Sequence, residues 1–270
     1  MKLEHYEKVS IGGLLPRDVD VWLPPDYQTN PEQRFPVLYM HDGQNLFEPE
    51  KAYTGITWGV TEAMTKLATE GKIEPAIVVG IWNTENRFGD YLPLKPFDNK
   101  KGKRKLKFWQ LHPFMKHPQY LADEYLKLIV QKIKPMVDDK YRTKPDAAHT
   151  HVMGSSMGGL ISWYAICEYP EVFGGAGCVS THWPSVKNVM KTYLLEKLPS
   201  PKTHKIYFDH GTVGLDAKYP KHQQKVDTIM REMGYTEGVN WITKVYEGEE
   251  HNEECWQRRI HVPLTFLLGN

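Results

Sequence analysis

A serine with a glycine two residues away on each side, set between an apolar run and a helical pattern, restricts this chain more than any other feature. Gly154-Ser155-Ser156-Met157-Gly158 has the form Gly-x-Ser-x-Gly. Only Ser156 stands at its centre, because Ser155 would need glycines at positions held by Met153 and Met157. The spacing has a steric reason. A serine that projects its hydroxyl over the edge of a sheet sits in a sharp, strained turn, and small neighbours are needed where the backbones crowd. The pattern alone is common in glycine–serine turns. Here His149-Thr-His-Val-Met153 reads as a strand before it and Gly159-Leu-Ile-Ser-Trp-Tyr-Ala-Ile-Cys167 as a helix after it, which is the context the motif requires. Ser156 is the expected nucleophile.

The rest of the chain repeats that rhythm. Pro36-Val-Leu-Tyr-Met40 and Ala76-Ile-Val-Val-Gly-Ile81 are continuous apolar runs, as strands buried on both faces are, and Asp18 to Leu23 alternates Val19, Val21 and Leu23. Further strands are expected at His149 to Met153, Gly175 to Val179, Lys205 to Phe208 and Trp241 to Tyr246. Helical patterns lie near Trp58 to Ala68, Tyr120 to Ile133, Leu160 to Tyr169 and Gln223 to Met233, the third stopping before Pro170. Alternation of this kind predicts an α/β fold, a mostly parallel central sheet with helices on both faces. With 270 residues, 40% apolar and 25% charged, it is expected to form a single domain over 1–270.

Composition removes several function classes. A net charge of +1 supplies no global field to recruit nucleic acid, and no stretch approaches the roughly 18 apolar residues of a membrane span. Three cysteines, Cys167, Cys178 and Cys255, without a Cys-x-x-Cys spacing give neither a fully paired disulfide scaffold nor a zinc pattern. The start, Met1 to Glu7, lacks the apolar run of a signal peptide, so a soluble cytoplasmic protein is expected, or a secreted one had a leader been removed. Eight Trp and 15 Tyr either line a cleft or fill the core.

One segment breaks the rhythm. Residues 87–118 hold Pro93, Pro96, Pro113 and Pro118, a basic run from Lys100 to Lys107, and Phe97, Phe108, Trp109 and Phe114 interleaved. Long loops inside compact domains are usually functional or mobile. The expectation is an insertion acting as a lid or wall over the active site, against a solvated excursion anchored by a few rings. Basic residues mixed with rings also suit single strands of nucleic acid, but the acidic balance elsewhere weighs against that.

A serine hydroxyl needs a base beside it. In α/β-hydrolases the chain order is Ser, then Asp or Glu, then His, so the base belongs in a loop after the last strand. Trp241 to Tyr246 is that strand, and Glu247-Gly-Glu-Glu-His251 the loop, which selects His251. His261 lies too far into the terminal helix, and His204 and His210 precede the strand. The acid should follow Lys205 to Phe208, where Asp216 and Asp209 both qualify; a loop residue reaches an imidazole better than one still in the strand, which favours Asp216. Two backbone N–H groups should face the developing oxyanion. Met157, next after the serine, offers one. Gln44, in the loop His41-Asp42-Gly43 that follows an early central strand, offers the other, its side chain being immaterial to that role.

These residues resemble the esterases of the esterase D type, a group that includes feruloyl and acetyl xylan esterases, enterochelin esterases, S-formylglutathione hydrolases and mycolyltransferases. The likeness rests on His41-Asp-Gly-Gln-Asn-Leu-Phe47, Thr57-Trp-Gly-Val60, Gly154-Ser-Ser-Met-Gly-Gly159, Phe208-Asp-His-Gly-Thr212 with Asp216, and His251 with Trp256. It implies a Ser156–Asp216–His251 triad, acyl-enzyme chemistry with no cofactor or metal, and a substrate-binding role for Trp183, and for Trp58 of the Thr57-Trp-Gly-Val60 stretch. The substrate it implies is a short-chain or aromatic ester of the acetyl or feruloyl type, on a small molecule or a carbohydrate, with no nucleic-acid or membrane partner. Acyl transfer on the same triad is the nearest alternative. A metal-dependent hydrolase using His149 and His151, with both rings on one face of a strand, and a non-catalytic binding protein on the same fold are the others.

Overall fold

The continuous apolar runs form the middle of one eight-stranded sheet of order β1-β2-β4-β3-β5-β6-β7-β8. The strands are β1 Lys2–Val9, β2 Arg17–Leu23, β3 Val37–His41, β4 Ile77–Ile81, β5 Thr150–Ser155, β6 Gly175–Val179, β7 Lys205–Gly211 and β8 Trp241–Tyr246. This computed structural model describes residues 2–98, 119–186 and 190–269. From β4 through β8 every neighbouring pair is parallel, while β1 and β2 add an antiparallel edge.

Alternation along each strand splits the core in two. Val37, Tyr39, Val79 and Val152 face a core with the helices Met157–Glu168 and Pro220–Glu232, while Leu38, Met40, Val78 and Met153 face a second with Val60–Thr69 and His261–Leu268. The helix Met157–Glu168 is buried from Met157 to Cys167, which explains why it is mostly apolar on every face, with Ser162 turned back to the Gly158 carbonyl.

Two elements differ from expectation for local reasons. β1 was absent from the sequence reading because it pairs on one side only, and its Lys2-Leu-Glu-His-Tyr-Glu-Lys-Val9 carries charges that blunt an exposed edge rather than an apolar stripe. The helix expected to end at Ile133 runs on to Lys140 despite Pro135. A π-turn over Ile129–Ile133 precedes the proline, and such a turn relieves the clash and the missing N–H that would otherwise stop a helix.

Of the segment 87–118, the short helix Arg87–Tyr91 and the turn Lys95–Phe97 are described. The basic run and the rings of Phe108, Trp109 and Phe114 lie outside the described residues, and with them the expected lid. Among the described residues no helix is long and apolar enough to cross a membrane.

Candidate active site

The sheet changes direction between β3 and β5: the chain winds outward to β4 on one side and to β6, β7 and β8 on the other. In open α/β sheets the loops at the carboxyl ends of strands diverge at such a point and leave a crevice. The loops after β3, β5, β7 and β8 carry Gln44, Ser156, Asp216 and His251.

Ser156 has φ 58° and ψ −118°, a backbone state that costs a non-glycine residue about 1–3 kcal/mol. Packing enforces it. A Cβ on Gly154 would sit 2.8 Å from the Gly158 carbonyl carbon, so strand and helix meet there too closely for any side chain. The Ser156 amide donates to the Val179 carbonyl at 2.9 Å, and the His182 amide donates to the Ser156 carbonyl at 3.0 Å. Both loops are thereby tied to the turn.

The half of the site that holds His251 is assembled from β6, β7 and β8. His251 Nδ1 lies 2.6 Å from Asp216 Oδ1, the imidazole largely covered and the carboxylate wholly so. The other carboxylate oxygen, Oδ2, accepts from the Gly211 amide and from Ser180 Oγ, each at 2.7 Å. Burial disfavours the Asp216 charge, but the bonds from His251, Gly211 and Ser180 outweigh it and hold the carboxyl below its usual range. An ionised Asp216 keeps the proton of His251 on Nδ1 and leaves Nε2 as the basic nitrogen. Asn252 then starts the helix Glu253–Arg259 by accepting from the Cys255 amide at 2.9 Å, which fixes the chain beside the base.

Asp209, the other acid candidate, serves elsewhere. Its oxygens accept from the Ser180 amide, the Tyr207 hydroxyl and Arg259, whose Nε and Nη2 lie 3.2 and 3.1 Å away. Burial pushes its pKa up, against the pull of Arg259. Ser180 joins the two carboxylates: its hydroxyl donates to Asp216 and accepts from Arg259 Nη2 at 2.8 Å and from Trp256 Nε1 at 3.1 Å. Ser180 and Arg259 were both missed from sequence. Ser180 had a usable signal, since it directly follows a central parallel strand; Arg259 had none, because a basic residue late in a short helix reads as surface.

The opposite wall comes from β3 and β4. Gly43 crosses β4 so closely that a Cβ would lie 2.4 Å from the Gly80 carbonyl carbon. This approach seats the turn Gly43–Asn45 over the crevice, with the Gln44 side-chain oxygen accepting from the Asn83 amide at 3.1 Å. That side chain therefore ties the loop after β3 to the loop after β4, a bond separate from the donor role expected of the Gln44 amide. Met157 opens its helix, where amide N–H groups have no intrahelical acceptor. Beside them Asp42 takes Arg87 in a two-pronged pair at 2.7 Å per bond and accepts from Asn83 Nδ2 at 2.6 Å. Burial opposes the Asp42 charge, but Arg87 and Asn83 prevail and its pKa falls.

Ser156, His251, Gln44, Asp42, Arg87 and Trp256 all line one cleft of about 470 Å³. The two tryptophans expected to bind substrate do not line it. Trp183 is 1% exposed, donates to Gln223 at 2.7 Å and packs on Trp163 and Phe208. Trp58 is 2% exposed and stands behind Trp256, ring centres 5.5 Å apart; Trp256 is the ring that meets the base, edge-on to His251 at 5.0 Å. Both large rings are packed in the core, where their apolar area is removed from water.

His149 and His151 do not form the strand pair expected of a metal site. His149 ends a 3-10 turn, beside Asp146 at 2.8 Å, and only His151 belongs to β5, where burial lowers its pKa to about 3. Among the described residues no group of three or more His, Cys, Asp or Glu is placed to hold a metal ion.

A family model described as "Putative esterase" matches residues 15–267. The uncharacterized protein YbbA of Bacillus subtilis is 24% identical over 260 residues, covering 94% of this chain and 93% of that one. An endo-1,4-beta-xylanase/feruloyl esterase of Xylanibacter ruminicola is 27% identical over 232 residues; the match takes in 84% of this chain but 25% of that protein, so the chain spans about a quarter of its length. Among solved structures, a ferulic acid esterase superposes with a TM-score of 0.70 at 18% identity, covering 99% of this chain and 98% of its own. The enterobactin esterase of Shigella flexneri with enterobactin superposes with a TM-score of 0.72 at 18% identity, covering 99% of this chain and 58% of that one. The fold is that of the α/β-hydrolases.

Proposed function

The chain belongs to the esterase family and is an esterase; from that premise we propose that it hydrolyses carboxylic esters through an acyl-enzyme on Ser156, with His251 as base and Asp216 as its orienting acid. One observation carries the reading: an imidazole held 2.6 Å from a buried carboxylate shares a cleft with a serine in a strained turn at the end of a central strand.

The steps follow from those positions. As Ser156 Oγ bonds to the ester carbon, its proton passes to His251 Nε2, and the imidazolium that forms is stabilised by Asp216. The carbonyl oxygen takes up the negative charge facing the amides of Gln44 and Met157, where fixed dipoles need no reorganisation. Collapse restores the carbonyl, breaks the bond to the alcohol oxygen and returns the proton from His251 to that oxygen. Water then attacks the acyl-enzyme, giving one proton to His251, and Ser156 recovers it as the acid leaves.

The substrate class we favour is a short-chain or aromatic ester of the acetyl or feruloyl type, carried on a small or carbohydrate-linked alcohol. The printed activities of the Xylanibacter relative and of the ferulic acid esterase support it. So does a cleft wall of Asn45, Thr54, Asn83 and Thr84, rich in groups that bond to hydroxyls, with Tyr53 at 88% exposure as a flat surface beside them.

The test is a stopped-flow assay with acetyl, butyryl, octanoyl and feruloyl p-nitrophenyl esters. The expected result is a burst of p-nitrophenol equal to the enzyme present, unaffected by EDTA, fastest for acetyl or feruloyl. Ser156→Ala is expected to lower turnover by about ten-thousand-fold or more. A fully active Ser156→Ala enzyme ends the proposal.

A further inference from the structure

One polar pair at the nucleophile has no part in the steps above. Tyr219 ends the turn Asp216–Lys218 and is 1% exposed. Its amide donates to the Asp216 carbonyl at 2.9 Å, so its position is fixed to that of the acid. Its ring stands edge-on to the His251 imidazole, 5.7 Å between centres at 89°. Its hydroxyl lies 2.7 Å from His182 Nδ1, and His182 is the residue whose amide donates to the Ser156 carbonyl. Tyr219 thus bonds to Asp216 through its backbone, meets the His251 imidazole with its ring, and holds through its hydroxyl a further residue whose amide bonds the Ser156 carbonyl.

We propose that Tyr219, braced by His182, is a positioning residue for the esterase reaction: its hydroxyl fixes His182, whose amide holds the Ser156 carbonyl, and its ring edge fixes the plane of the His251 imidazole. The inference rests on the serine-hydrolase reading given above. The hydrogen-bond directions are consistent with this role. Burial lowers the His182 pKa to about 4, so the ring is neutral at neutral pH and has one bare nitrogen. Burial also raises the Tyr219 pKa, so the phenol keeps its proton. With its bare nitrogen at Nδ1, His182 accepts a hydrogen bond from the Tyr219 hydroxyl. The turn that carries Ser156 is then held in one place while the substrate is attacked. Neither residue bonds to substrate in this scheme. The effect is on the rate of acylation, because small displacements of a reacting atom are expensive.

The experiment reads the burst rate constant with p-nitrophenyl butyrate, the KM and the thermal midpoint for four variants. Tyr219→Phe keeps the ring and removes the hydroxyl; it is expected to slow the burst roughly 10-fold with KM changed by less than about 2-fold. His182→Leu is expected to match it. His182→Gln offers a carbonyl oxygen to the same proton and is expected to recover most of the rate. The double variant Tyr219→Phe/His182→Leu is expected to lose no more than either alone, because the two act as one unit. A Tyr219→Phe burst within about 2-fold of the parent overturns the proposal. So do losses that multiply in the double variant, or a loss matched by a rise in KM and a fall in the thermal midpoint. If the parent enzyme gives no burst at all, the serine-esterase reading has failed and this inference falls with it; a normal parent burst with an unaltered Tyr219→Phe variant removes this inference alone.

Discussion

The two walls of the cleft are built on different physical terms. The wall that holds His251, from β6, β7 and β8, is a buried network: Asp216, Ser180, Asp209 and Arg259 are each at least 97% covered and bonded to one another, with Arg259 Nη1 alone among their side-chain polar atoms lacking a hydrogen bond, and Trp256 and Tyr219 clamp the imidazole. The opposite wall, from β3 and β4, ends in side chains that reach water: Arg87 keeps 34% of its side chain exposed and Tyr53 stands almost free. Buried polar groups bonded to one another admit few arrangements, whereas exposed ones tolerate replacement. The rigid wall carries the proposed acid and base, and the wall that carries Gln44 ends in side chains that are free to vary.

The sharpest way to break that contrast is at Asp216. Asp216→Asn should cut turnover roughly thousand- to ten-thousand-fold while the fold survives, since an amide presents the wrong tautomer to His251. Steady-state kinetics beside a circular dichroism spectrum checks it, and near-normal turnover would move the acid role to Asp209. Asp209→Asn should show the complementary profile. It leaves Arg259 buried with a neutral partner, and the expected loss is about 3 kcal/mol of stability, read as a lower urea midpoint, with a smaller change in kcat than Asp216→Asn gives.

Acid should weaken both walls together. His41 beneath the β3 wall and His182 beneath the nucleophile have pKa values lowered by burial to about 3 and about 4, and His151 to about 3. The folded protein keeps them neutral while the unfolded chain takes up protons below about pH 6.5. Stability is therefore complete above that pH and falls as pH drops toward 4, by about 1.4 kcal/mol per pH unit for each histidine. Urea midpoints at pH 7 and pH 5 measure this; equal midpoints refute it. The smallest effect belongs to the open wall. Gln44→Ala removes the acceptor for the Asn83 amide but leaves the Gln44 amide in place, so a loss of about 1 kcal/mol is expected, seen as a few-fold change in kcat/KM.

How far the site was legible follows the same division. Parallel strands covered on both faces announce themselves as apolar runs, so β3 to β8 could be read directly, and the order Ser, Asp, His along the chain pointed to a serine and a histidine that line one cleft and an aspartate bonded to that histidine. The choice between Asp216 and Asp209 needed loop geometry, and coordinates added the reason each carboxylate goes where it does. What could not be read were the contacts between distant stretches. Ser180 meets Arg259 across 79 residues and Asp42 meets Arg87 across 45, and no local pattern encodes either pairing. Trp58 and Trp183 mark the opposite failure: a ring near a motif was assigned to the cleft, when the side-chain direction set by the backbone took it inward.

The placement of Arg259 has a consequence for how the enzyme comes into being. The helix that carries it lies after β8, so a chain emerging in order holds Ser156 long before it holds His251 or the cation paired with Asp209. Catalytic competence must then appear late, after the last strand has docked, and long-range pairings of that kind are slow to close. Regain of turnover during refolding would trail the regain of helical signal, making activity a clock for the final assembly step.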